Sequence, residues 1–354
     1  MRKLLLTLHL WTTLAAGVFI VILGVTGCVM AFEIDLDRLF HASLFDVSPQ
    51  PVASLPLTTL QGIVQYRFEG SRVQAFGLPQ RRDAAYVAVL DSGSEVFVNG
   101  YTGAILGSRR GMTLLSRIHQ LHIRLLAGKT GEKIMTIAGI FMLFLALSGV
   151  ILWWKYKRFS IKWNGPLFRM MFDLHNAGGI STLVFLLLLS ATGVVIALEN
   201  PILPWMHKVT GTTRIPRTLP STPGRGSTPI APDQALRIAM ATEPGAVPLK
   251  IELPVARNDS YNVRTHFPED RTPGGRSWVC VDQYSGKVLV TQSSRTAPLP
   301  MRAYLMTRQI HTGDIFGVPS RIAMSACSLF VTLQAFSGVV MWRKRERKRQ
   351  PKNG

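Results

Sequence analysis

Residues 8–33 read LHLWTTLAAGVFIVILGVTGCVMAFE, and residues 174–199 read LHNAGGISTLVFLLLLSATGVVIALE. Laid over one another at a shift of 166, the two stretches agree without a gap. Leu8-His9 meets Leu174-His175, Val18-Phe19 meets Val184-Phe185, and Thr26-Gly27 meets Thr192-Gly193; Val29, Ala31 and Glu33 meet Val195, Ala197 and Glu199. Each stretch is an apolar run of the length that crosses a bilayer, about 20 residues, and each opens on a histidine. The first expectation is a membrane protein built from two copies of one unit.

The rest of the chain extends the match. At a shift of 183, Val98-Asn99-Gly100-Tyr101-Thr102-Gly103 falls on Val281-Asp282-Gln283-Tyr284-Ser285-Gly286. At a shift of 189, His122 falls on His311, Gly128 on Gly317, Ser148-Gly149-Val150 on Ser337-Gly338-Val339, and Trp153 and Lys155 on Trp342 and Lys344. Four uncharged runs result: Leu4–Phe32, Ile134–Trp154, Leu174–Leu198 and Ile322–Trp342. Each copy is therefore span, long connecting segment, span. Both copies run in the same direction, which places a pseudo-axis along the membrane normal.

Composition agrees. Of 354 residues 47% are hydrophobic and 17% charged, against about 25% charged in soluble domains, and the mean hydropathy is +0.21. A soluble enzyme, a disordered chain and a disulfide-stapled small domain are excluded. The net charge is +20. In a soluble protein that would point to nucleic acid; here it follows membrane orientation, and no nucleic-acid partner is expected. The basic residues gather at Arg2 and Lys3, in the loop 155–173 (Lys155, Lys157, Arg158, Lys162, Arg169) and in the tail 343–354 (Arg343, Lys344, Arg345, Arg347, Lys348, Arg349, Lys352). Short basic segments stay cytoplasmic. Both termini and the central loop are thus expected inside, and segments 33–133 and 199–321 outside. Trp153, Trp154 and Trp342 fall at the inner ends of their spans, where interfacial tryptophans belong. Val25-Thr26-Gly27-Cys28 resembles a lipoprotein cleavage site, but the run around it is longer than a signal h-region, so the first span is expected to be retained. Cys28 and Cys327 lie in spans and only Cys280 outside, so no internal disulfide framework is expected.

The outside segments alternate apolar runs with turn signals. Ala84–Leu90, Glu95–Val98 and Ala104–Leu106 read as strands in the first, Ser277–Val281 and Lys287–Val290 in the second, with Tyr-Thr-Gly and Tyr-Ser-Gly hairpin turns. Thr58–Gln65 and Asp233–Thr242 read as helices, the latter capped by Asp233. Two small α+β domains are expected, with Thr210–Pro232 as a linker.

The repeat also sorts the eight histidines. His9 and His175 begin spans that start inside; His122 and His311 precede spans that start outside. Each pair shares one depth, and two imidazoles facing one another across a helix bundle can clamp a haem iron. Thr12 and Thr13 near His9, and Gly178 and Gly179 near His175, leave space for a flat macrocycle. His119 falls on Arg308 and drops out as a ligand, and His266 has no counterpart. His41 and His207 correspond at the 166 shift and are candidates for a metal or substrate contact near the outer pair. No C-x-x-C-H motif is present, so the haem would be b-type.

These residues resemble the PepSY-associated transmembrane proteins: Leu-His opening spans one and three, Leu121-His122 before span two, Asp173-Leu174-His175-Asn176, Ile310-His311-Thr312-Gly313, the Ser-Gly-Val-x-x-Trp span endings and the Tyr-Thr/Ser-Gly hairpins. The resemblance covers nearly the whole chain; Asn99 and Asp282-Gln283 depart from the usual Asp-Pro before the turn. It implies a bacterial inner-membrane protein, iron-regulated, of the di-haem type that reduces ferric siderophores in the periplasm. It also implies haem ligation by His9, His175, His122 and His311. With no G-x-G-x-x-G after a strand, the electrons are expected from a quinol or a cytoplasmic reductase. The competing expectation is a PepSY-type peptide-binding or protease-regulating protein without haem. A transporter ranks last, because the spans lack charged lining residues.

Overall fold

The computed structural model describes residues 1–349 except 156, 158, 225, 272 and 273. Arg158 and Lys352, counted above among the cytoplasmic basic residues, lie outside the described residues. In order, the elements are α1 (Arg2–Met30), α2 (Glu33–Phe40), α3 (Ala42–Phe45), α4 (Leu57–Arg67), β1 (Val73–Gly77), β2 (Tyr86–Leu90), β3 (Glu95–Val98), β4 (Ile105–Arg109), α5 (Leu114–Arg124), α6 (Gly128–Trp154), α7 (Leu167–Ala197), α8 (Glu199–Thr210), α9 (Pro232–Thr242), β5 (Val247–Glu252), β6 (Ser260–His266), β7 (Ser277–Asp282), β8 (Val288–Gln292), α10 (Leu299–Thr312) and α11 (Val318–Arg349). The chain divides into a helical unit (1–33, 113–203, 306–354) and a sheet unit (34–112, 204–305).

In the helical unit α1, α6, α7 and α11 are the four expected spans, each long and apolar enough to cross a membrane. They form a square. α1 packs against α6 and α11, and α7 packs against the same two helices, so α1 and α7 occupy opposite corners. The helices outrun the hydrophobic segments read from sequence. α7 starts at Leu167 rather than 174, because Asp173, which ends the uncharged run, is buried and answered one turn earlier by Arg169 at 2.8 Å. An i,i+4 pair of this kind favours the helix. α5 is capped by Thr113, whose side chain accepts the Ser116 amide, and ends at Leu125 in the left-handed region. The chain then turns directly into α6.

The strands of the two segments expected outside join in one antiparallel sheet of order β4-β3-β2-β1-β5-β6-β7-β8. At the junction Phe76 pairs with Ile251, flanked by Ala75–Glu252 and Gly77–Lys250. Phe76 and Ile251 are equivalent at a shift of 175, so a local two-fold axis passes between them. A fully buried core of Phe76, Ile251, Val96, Val263 and Val279 packs against Leu60 and Val64 of α4 and Ala235 and Ala239 of α9. β1, β5 and β6 were not evident in the sequence. β6 reads Ser-Tyr-Asn-Val-Arg-Thr-His, and its Asn262 is buried where the chain around Arg217 and Leu219 crosses the sheet: Asn262 Nδ2 donates to the Arg217 carbonyl, and the Leu219 amide donates to Cys280 Sγ of β7. The expected linker is a strap over the sheet. It leaves Cys280 fully buried and free.

Asp233 caps a helix, but not its own. The N-cap of α9 is Ala231; the Asp233 carboxylate accepts the amides of Leu57 and Thr58 and the Thr58 hydroxyl at 2.6–2.9 Å, closing the start of α4. Thr58 and Asp233 are themselves equivalent at the 175 shift, so the bond crosses the local two-fold. Burial opposes ionisation of Asp233, but the bonds from Thr58 and Leu57 outweigh it and hold its carboxyl below the usual carboxylate range. A depressed folded-state pKa contributes stability above the unfolded value of about 4 and loses it as pH falls through the folded value. Asp233→Ala is expected to cost about 1 kcal/mol at neutral pH, as loss of a helix cap does. In thermal unfolding scans its deficit against the parent protein should be full at pH 7 and vanish in strong acid.

Candidate cofactor site

His9 on α1 and His175 on α7 face each other across the diagonal of the square, with ring centroids 6.4 Å apart. His122 on α5 and His311 on α10 also stand 6.4 Å apart. Two bonds of about 2 Å from imidazole nitrogens to one metal, plus the offset of each nitrogen from its ring centre, come to the same separation.

One nitrogen of every ring is already committed, and always to a hydroxyl. His9 Nδ1 lies 2.7 Å from Ser148 Oγ, His175 Nδ1 2.9 Å from Ser337 Oγ, His122 Nδ1 2.8 Å from Thr26 Oγ1, and His311 Nδ1 3.1 Å from Thr192 Oγ1. Each hydroxyl hydrogen is taken by a carbonyl of its own helix: Leu145, Gln334, Ile22 and Leu188 respectively. The oxygen therefore accepts from Nδ1–H. His311 Nδ1 also lies 3.1 Å from the Leu189 carbonyl, which can only accept. The tautomer with a proton on Nδ1 leaves the Nε2 lone pair as the one open to a metal, and a hydrogen bond at the far nitrogen is how ligating histidines are oriented. Burial pushes the His122 imidazole down to about 3, with His311 and His119 adding to the effect, and burial pushes His311 down to about 4. Both rings are neutral, the form that ligates.

The residue after each hydroxyl is glycine, and at two of the four, Gly27 and Gly193, the missing Cβ makes room for the ring. A Cβ at Gly27 would stand 3.3 Å from His122 Cε1, and one at Gly193 3.0 Å from His311 Cε1; at Gly149 and Gly338 the His9 and His175 rings lie at 3.8 Å. Hydroxyl-glycine thus stands beside all four rings. The sequence comparison contained all four dipeptides as repeat markers without revealing their role. His9 and Thr26 are 17 residues apart on α1, and His175 and Thr192 the same on α7, so the two imidazole pairs meet the bundle about 25 Å apart along its helices.

Around the first pair lies a cavity of ≈ 350 Å³ between the four helices, lined by Thr13, Gly17, Ile20, Met142, Gly149, Gly179, Leu183, Gln334 and Gly338 beside the two histidines. Gly179 does face this space, as expected. Gly178 does not: a Cβ there would stand 2.1 Å from the Phe330 ring, so its room is taken by α11. Thr12 is not part of the lining either. The buried Gln334 amide nitrogen has no hydrogen-bond partner among the described residues.

A family model of the PepSY-associated TM region matches residues 6–345. The chain belongs to the PepSY-associated transmembrane family. No curated protein matches it. The family match spans both copies and all four imidazoles. The other histidines of this PepSY-associated protein have different surroundings. His119 bonds Glu33 at 2.8 Å, which ties it to a carboxylate and away from the His122 ring partner. His41 is held by the Asp37 carboxylate at 3.0 Å. His207 is buried with Nδ1 on Thr212 Oγ1 at 2.8 Å, and its Nε2 has no partner among the described residues. The unlike partners of His41 and His207 give no sign of a shared site. Among the described residues no group of three or more His, Cys, Asp or Glu is gathered to hold a metal ion.

Proposed function

We propose that the protein is a b-type di-haem electron conduit of the bacterial inner membrane that reduces ferric (siderophore) complexes in the periplasm and so releases their iron. The observation that carries the reading is the pair of imidazole couples at 6.4 Å, one at each end of the bundle. His9 and His175 would hold one haem, His122 and His311 the other. Bound there, haem would supply one-electron transfer rather than oxygen chemistry.

The protein's own residues do the rest. Ser148, Ser337, Thr26 and Thr192 fix the rings and their tautomer. The apolar walls of the cavity exclude water. Arg2 and Arg345 also line that cavity; Arg2 lies seven residues before His9 and Arg345 eight after Ser337, about 10–12 Å along their helices, a reach suited to the carboxylates of a haem. A hydrocarbon layer about 30 Å thick gives two sites at two depths their purpose. With termini and central loop cytoplasmic, the His9–His175 pair lies on the side of a quinol or cytoplasmic reductase and the His122–His311 pair on the side of the ferric chelate. Reduction to iron(II) loosens hard-oxygen chelation, so one electron is enough to release the metal.

The test is an absorption spectrum of protein purified from cells with ample haem, followed by anaerobic mixing of the dithionite-reduced form with a ferric chelate. A Soret band, sharp reduced α and β bands and reoxidation by the chelate are expected. A colourless protein would leave the peptide-binding or protease-regulating reading of the sheet unit in its place.

A further inference from the structure

The two copies in the sheet unit share one frame and differ at one point. In both, an Asx turn precedes the hairpin glycine: Asn99 Oδ1 accepts the Tyr101 amide and Asp282 Oδ1 the Tyr284 amide. In both, the turn tyrosine ties down the facing loop, Tyr101 to the Arg82 carbonyl and Tyr284 to the Arg257 carbonyl, each at 2.9 Å. In both, the backbone ahead of the helix is held alike, Leu55 N to Gly100 O and Ile230 N to Gln283 O. Between these anchors the second copy carries Gln283, which is buried and donates its amide to the carbonyls of Ala256, Arg257 and Asp259, while Ser221 of the strap accepts the Gln283 amide N–H. The first copy carries Gly100. Beside it lies an open groove of ≈ 510 Å³ whose lining includes Gln80, Arg81, Arg82, Tyr86 and Tyr101 and no acidic residue.

Tyr86 registers the change. Its counterpart Tyr261 is buried, with its hydroxyl donating to Ile230 O at 2.6 Å. The Tyr86 ring instead lies where a side chain at position 100 would be, 2.4 Å from an added Cβ, and its hydroxyl makes no hydrogen bond among the described residues. Arg81 is engaged by Asp83. Arg82 donates one N–H to the Gln50 carbonyl at 2.7 Å, and a guanidinium carries five.

We infer that this groove is a binding site for a small polycarboxylate anion, held by the Arg82 guanidinium and the Tyr86 hydroxyl. The lining offers cations and donors without an opposing carboxylate, the volume lies in the range of small-molecule sites, and a guanidinium matches a carboxylate in planar, paired geometry. The second copy, with the same frame, has closed the same place with its own amide. The site shares no residue with the histidine pairs, and its test needs no haem.

The probe is citrate, titrated calorimetrically into the full-length protein in detergent at physiological chloride. Citrate is expected to bind the parent protein. Gly100→Gln, whose side chain would displace the Tyr86 ring, and Arg82→Gln, which removes a charge-assisted contact, should each weaken binding by about ten-fold or more. Arg257→Gln, at the equivalent place in the filled copy, should leave it unchanged, and the thermal midpoints of Arg82→Gln and Arg257→Gln should stay together. Absence of citrate binding to the parent protein, equal binding by Gly100→Gln and Arg82→Gln, or an equal loss in Arg257→Gln would each overturn the site.

Discussion

Replacing His175 with alanine is expected to lower the haem content by about half and to leave the remaining haem low-spin. The reason lies in the pairing. His9 and His175 come from opposite corners of the square, and their partner hydroxyls, Ser148 and Ser337, come from the other two corners. A haem proposed between these two rings would then have His9 as its one remaining imidazole in the cavity. His122 and His311 draw on α5, α10, Thr26 and Thr192, none of which touches the lost ring. His122→Ala is expected to give the converse loss, and His119→Ala, whose ring bonds Glu33, to leave both haems in place. Haem assay and dithionite-reduced spectra of the single variants read all of this. If His9→Ala and His175→Ala disturb different haems, ligation runs within each copy and the diagonal pairing is wrong. If His175→Ala retains full haem content, that ring is no ligand.

The second large effect arises where no histidine is altered. Gly131 sits in the first turns of α6, and a Cβ on it would stand 1.7 Å from the Arg124 carbonyl oxygen at the end of α5. The opposing atom is backbone, so it cannot swing aside as a side chain would. The chain between them turns tightly through Leu125 and Leu126, both with positive φ, and α5 carries His122. Gly131→Ala is therefore expected to displace α5 and cost at least the ~1–3 kcal/mol of an overpacked core. The haem of the His122–His311 pair should become high-spin or be lost while the other persists. Gly139→Ala, where the added Cβ meets only Val194 Cγ2 at 3.4 Å, serves as the control and should change neither haem. Electron paramagnetic resonance of the oxidised protein separates the two spin states directly. Equal loss of both haems in Gly131→Ala would mean general unfolding rather than a hinge specific to α5.

Hydropathy alone located four spans. The match at shifts of 166 and 189 set His9, His175, His122 and His311 apart from the other four histidines, and the structure brings those four together as two pairs. Those properties are one-dimensional: period, length and charge along a chain. Helix ends were less legible, as Asp173 shows, since hydropathy marks the hydrocarbon and not the helix. Tertiary structure alone decided what depends on approach between distant segments. The hydroxyls of Ser148, Ser337, Thr26 and Thr192 set the imidazole tautomer across helix pairs that sequence spacing does not connect. The sheets of the two copies merge because β1 and β5 each present a free edge, and edge pairing satisfies backbone groups whatever the side chains are. Asp233 caps the helix of the other copy because the two-fold axis brings equivalent helix starts together. At Gly100 the Tyr86 ring moves into the place a side chain would take, where the other copy has Gln283, a difference of one side chain whose consequence lies in the packing around it.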